Sequence, residues 1–218
     1  MALYSGGELS TASAVFLTPV NGPGGFPDLG FVVGPASSND DLGAGSPNYD
    51  LLTEANFTAL GAGPTASGNA YSGANDETTV FLVDSSGNIT VQWINTNLSS
   101  PATSLVYLAG SDGLLITGDF TAFNAAFPGG ILTKWLYVPL NATTGNIQVF
   151  NASTNASVGY VSNSYTNSTT HRFGITATSA NALIIDDPIS AATPEPGSIA
   201  LLTAGLGALW VVRKRPVR

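Results

Sequence analysis

The chain has 218 residues, a formal net charge of −8, only 9% charged side chains and no cysteine, enough length for one all-β domain with its own core but no disulfide, thiolate metal site or cysteine nucleophile. Four of its six basic residues lie at the extreme C-terminus, so the body through Thr193 keeps Lys134 and Arg172 against thirteen acids, a formal charge of −11. So few cations cannot neutralise phosphates, which excludes nucleic acid as a partner and, for the body, anionic lipid head groups.

Residues 1–76 read as an irregular, loop-rich N-terminal part. Asn21–Pro27 and Gly61–Pro64 are turn-rich, and the short apolar pieces Ala14–Leu17 and Phe31–Val33 are strand candidates. Asp40-Asp41 and Asp76-Glu77 are adjacent acids of the kind that offer oxygen to Ca²⁺. No Asp-x-Asp-x-Asp spacing accompanies them, so they read as solvated loop carboxylates and no metal site is expected.

From residue 77 to 188 the pattern is that of strands. Thr78–Asp84 is β-branched and aromatic, Ser85–Asn88 is a turn, and Ile89–Ile94 alternates apolar and polar residues with period two. Ser104–Leu108 and Leu114–Thr117 form a second pair. One short helix interrupts them, capped by Asp119 and ended by Pro128-Gly129-Gly130. Its Phe120, Phe123 and Phe127 share a face and read as a lid packed on the open end of the strands. Ile131–Val138, Ile147–Phe150, Val158–Val161, Arg172–Ala177 and Ala182–Ile185 continue the strand pattern. This spacing indicates an all-β fold, a β-sandwich or jelly roll, with 77–188 as its core and 189–193 as a linker.

Asn, Ser and Thr dominate 141–170, and Asn-x-Ser/Thr triplets start at Asn56, Asn88, Asn97, Asn141, Asn151, Asn155 and Asn167. Such triplets are glycan acceptors where the host supplies the machinery, and they also arise by chance in this composition. Nothing reads as an active site. His171 is the only histidine, no Gly-x-Ser-x-Gly elbow occurs, and the body glutamates Glu8, Glu54 and Glu77 lie outside the clear strands. No enzyme activity and no cofactor are expected.

The last 25 residues have three parts in fixed order. Pro194-Glu195-Pro196 is stiff and extended, because each proline fixes its own φ and disfavours helix before it. Residues 197–212 carry no charge and form a helix of about 24 Å, slightly short of a bilayer core. Arg213, Lys214 and Arg215 then hold the end in the cytoplasm, which puts the body on the far side of the membrane.

This tail resembles the PEP-CTERM sorting signal of exported bacterial proteins. The resemblance covers about an eighth of the chain and rests on Pro194, Glu195 and Pro196, the transmembrane span 197–212, and the stop residues Arg213, Lys214 and Arg215. It implies processing by exosortase, a membrane-embedded cysteine transpeptidase that cuts near the Pro-Glu-Pro and passes the body to the cell surface or extracellular matrix. Members of that family also carry an N-terminal leader. Met1–Glu8 has no Lys or Arg and Ala14–Leu17 is too short an apolar run, so a truncated or mis-started N-terminus is expected. The role expected of the body is structural or adhesive, within an exopolysaccharide layer. The alternative is a carbohydrate-binding module, with Trp93, Trp135 and Tyr137 as its aromatic platform.

Overall fold

A strand paired on both edges and buried on both faces needs apolar residues at every position, whereas one with a wet face shows alternation. Both kinds occur in the computed structural model, which describes residues 14–71, 73–167 and 172–186, the side chains of 163–167 excepted. The described residues fall in one compact unit, Leu9–Pro188. Among the described residues the fold is all-β and antiparallel, with one short α-helix.

In chain order the strands are β1 (Asp28–Val33), β2 (Tyr49–Ala55), β3 (Asp76–Glu77), β4 (Phe81–Val83), β5 (Asn88–Val91), β6 (Ser104–Leu108) and β7 (Gly113–Thr117). Helix α1 (Phe120–Ala126) follows, then β8 (Gly130–Pro139), β9 (Thr144–Asn151), β10 (Ser157–Asn167), β11 (Arg172–Thr176) and β12 (Ile184–Asp186). Along the main path the order is β11-β10-β9-β8-β6-β7-β2-β1-β3. Strand β8 is the junction. One edge pairs with β9; the other pairs with β6 at Gly130–Leu132 and with β5 at Trp135 and Leu136. The β6 side and the β5 side therefore diverge from β8 as two sets of strands.

The main core gathers side chains from both sets. Phe31 of β1 lies 5.7 Å from Phe81 of β4 and 6.2 Å from Trp135 of β8, ring centroid to ring centroid. Leu52, Ile116, Ile147, Val149 and Phe173 fill the same cluster. The segment before β1 runs along the seam. Val15 bridges to Phe81, Leu17 to Leu29 and Pro19 to Ile185, and Leu17 enters the core.

A second, smaller cluster covers the outer face of β1, β2, β6 and β7. It holds Val32, Leu51, Val106, Leu115 and Phe123, with Tyr49, Phe120 and Phe127 packed against it. Helix α1 starts as the sequence implies: the Asp119 side chain accepts the Ala122 N–H at 3.0 Å. Phe123 is fully buried, and the rings of Tyr49, Phe123 and Phe127 lie 5.2–5.5 Å apart. The inward lid is therefore present. It covers the outer face of these strands rather than an open end.

Residues 1–76 are more regular than expected: the strand candidate Phe31–Val33 is the second half of β1, which joins β2 over six consecutive pairs from Asp28↔Ala55 to Val33↔Asp50. All six residues of β1 are buried, because one face meets the main core and the other the lid cluster. No alternation remains for the sequence to display, and Asp28, Asp50 and Glu54 break up the apolar runs. Glu54 and Glu77 accordingly stand on strands β2 and β3, not in loops.

Candidate functional site

The register fixes where the acids go. Antiparallel partners share a face, so Asp50, opposite Val33 and Ile116, points toward the main core with them. Glu77, opposite Phe31, points the same way, while Asp76, opposite Val32, points toward the other face. Glu77 and Asp76 are buried, which corrects the expectation of solvated loop carboxylates.

Each acid has a different environment. The Asp76 carboxylate accepts from the Ser67 hydroxyl and, at 2.7 Å, from the Asn69 amide, and burial still raises its pKa. Glu77 accepts the Ile94 N–H at 3.2 Å, yet burial, with Asp50 and Asp76 nearby, pushes its pKa to about 9. Asp50 is 1% exposed and neither carboxyl oxygen has a hydrogen-bond partner among the described residues. Burial, with Asp40 adding to it, raises its pKa well above the ordinary carboxylate range.

Asp76 and Asn69 organise the wall of a cleft beyond the end of β1. The Asn69 amide donates to Ala74 O at 2.9 Å and its oxygen accepts the Tyr71 N–H at 2.8 Å. Asn75 O accepts the Val33 N–H at 3.0 Å, tying this wall to β1. The opposite wall is Asp40. Its main-chain oxygen accepts the Trp93 indole N–H at 3.0 Å, and its carboxylate accepts from the Asn75 amide at 2.7 Å. Val33, Gly34, Pro35, Asp40, Tyr71 and Asn75 thus border a cleft of about 310 Å³, at the small end of the range for ligand sites. Asp40 is the one acid singled out from sequence that lines it. Tyr71 and Asn75 carried no sequence signal, since they lie more than 30 residues from Asp40.

Trp93, Trp135 and Tyr137 form no exposed platform; all three are buried in the main core. The Trp93 indole serves Asp40 and the Trp135 indole donates to Thr133 Oγ1 at 3.1 Å. Among the described residues no three His, Asp or Glu side chains converge as a metal site. Nor is any described helix long and apolar enough to cross a membrane. His171, the sorting residues Pro194, Glu195 and Pro196, the span 197–212 and the stop residues Arg213, Lys214 and Arg215 lie outside the described residues.

No protein-family model, no curated protein and no solved structure matches the chain.

Proposed function

We propose that this chain is an exported bacterial surface or matrix protein, delivered by a PEP-CTERM tail and serving a structural or adhesive role in an exopolysaccharide layer. The observation that carries this reading is the fixed order of Pro194-Glu195-Pro196, the uncharged span 197–212 and Arg213-Lys214-Arg215. On this reading the span inserts only transiently. It is slightly short of a bilayer core, and Gly205 and Gly207 weaken its helix. Exosortase is the processing partner.

The body is read as a β-sandwich of jelly-roll type, its two sets of strands meeting at β8. Its design supports a non-enzymatic role. Asp50 and Glu77 face the main core rather than an open cleft, and burial of the three candidate platform aromatics favours the structural reading over a flat carbohydrate-binding face. A surface polar through Ser, Thr and Asn rather than charge suits a hydrated polysaccharide medium.

Intact-mass measurement on protein from the native host, with and without its exosortase, tests the delivery. The expected result is loss of the C-terminal segment near Pro194–Pro196 only when the enzyme is present. A mature mass that still includes 197–218 in the exosortase-positive host would make the chain a plain membrane-anchored protein.

A further inference from the structure

The cleft beside β1 borders polar groups whose hydrogen-bonding capacity the fold uses only in part. Among the described residues, the Asn75 amide makes one contact, to Asp40 Oδ2. Asp40 Oδ1 and the Tyr71 hydroxyl have no hydrogen-bond partner there. A carboxylate oxygen, the unused parts of an amide and a phenol therefore border one cavity. Between them lie the small apolar surfaces of Val33, Pro35 and Ala74. The Tyr71 ring is backed by the lid cluster, and Asn69 fixes its main chain.

We infer that the cleft bordered by Asp40, Tyr71 and Asn75 is a subsite for a neutral, polyhydroxylated ligand: a short stretch of an oligosaccharide. Ligand chemistry selects this class. No Lys or Arg lines the cleft, so an anionic ligand meets Asp40 without a counter-charge. An apolar ligand leaves the second Asp40 carboxylate oxygen and the Tyr71 hydroxyl desolvated and unpaired, which costs free energy. A divalent cation lacks converging carboxylates here. A sugar satisfies all three demands. Its hydroxyls donate to the Asp40 carboxylate in a charge-assisted bond and pair with the Asn75 amide, while its C–H face rests on the Tyr71 ring and Pro35. The cleft volume of about 310 Å³ suits a small ligand rather than a whole domain. The inference rests on the matrix reading only for the source of the sugar.

The test uses the full chain in detergent, labelled for amide NMR and titrated with maltohexaose, cellohexaose, mannohexaose and chitohexaose. Polygalacturonate and calcium chloride are the contrasting probes. One neutral oligosaccharide is expected to bind, with shifts centred on Val33, Gly34, Asp40, Tyr71 and Asn75. Asp40→Asn keeps an oxygen to accept the Asn75 amide and is expected to weaken binding about tenfold or more, as loss of a charged hydrogen bond does. Tyr71→Phe should weaken it less, and unchanged melting temperatures should show that both variants fold. Binding to none of the four, shifts centred elsewhere, or undiminished affinity in folded Asp40→Asn overturns the proposal. Shifts at Asp40 with calcium and none with sugar overturn it in favour of a cation site. Delivery is read by mass in cells and binding by titration in vitro, so either can fail without the other.

Discussion

Asp50 and Glu77 face the main core from β2 and β3, on either side of β1, and burial raises the pKa of each. The Glu77 carboxyl goes from an ordinary value of 4.5 to about 9 on folding. Between those values the folded chain holds a proton that the unfolded chain releases, so stability falls as pH rises. The contribution is complete below 4.5 and is lost as pH passes through about 9. The melting temperature should therefore fall steadily between these limits, and Glu77→Gln should flatten that slope; an unchanged slope would show that Glu77 is not the titrating group. Asp50 makes a contrasting prediction. Its two oxygens are orphaned, so Asp50→Leu removes a buried cost and is expected to stabilise the fold by about 1–3 kcal/mol in urea titrations. The same scale explains part of the Asn-rich composition. Asn97, Asn141 and Asn151 each accept the backbone N–H two residues on, from Ser99, Thr143 and Ser153, at 2.8–2.9 Å. Three of the Asn-x-Ser/Thr triplets are thus Asx turns that reverse the chain.

Helix α1 has only seven residues, too few to stand on propensity alone. Tertiary packing through Phe123 holds it on the outer face of β1, β2, β6 and β7. Phe123→Ala is expected to cost about 3–5 kcal/mol, since the full ring leaves a closed cluster. Asp119→Ala removes the cap together with the bond its other oxygen accepts from the Gly45 N–H, and should cost about 1–2 kcal/mol. Urea denaturation distinguishes the two; equal losses would mean that capping, not burial, secures the helix. The hairpin from β4 to β5 shows the opposite balance, with local chemistry in control. The Asp84 carboxylate accepts the Ser86 and Asn88 N–H groups at 2.8 and 2.9 Å, and Gly87 sits at φ +84°. A Cβ at Gly87 would also approach Tyr137 O to 2.7 Å, so this turn requires glycine.

At the scale of the whole molecule, charge follows the division between body and tail. Removal of the tail takes four of the six basic residues with it. The mature body should therefore focus at lower pH than the intact chain, with a formal charge near −11 in place of −8. Isoelectric focusing of exosortase-positive and exosortase-negative material checks this, and identical positions would mean that the tail stays. Such a charge opposes approach to anionic surfaces.

Residue order alone was enough for strands with one wetter face: the predicted Ile131–Val138 lies within β8, where buried Thr133, Trp135 and Tyr137 alternate with less buried neighbours. The predicted Ser104–Leu108 is β6 without change, although its faces meet both cores, because its residue types favour a strand. The Asp119 cap and the Phe123 contact of α1 were legible because helix chemistry is local. The tail pattern was legible because hydrophobic length and flanking charge are properties of a continuous stretch. Tertiary structure alone decided the rest. It buried both faces of β1 and most of β2, so that only the apolar Phe31–Val33 stood out in sequence and β2 did not. It turned Asp50 and Glu77 inward and took Trp93, Trp135 and Tyr137 into the core, which residue type could not specify. It also joined Asp40 to Asn75 across the end of β1, since a cleft is made of residues distant in the chain and leaves no period or spacing in the sequence.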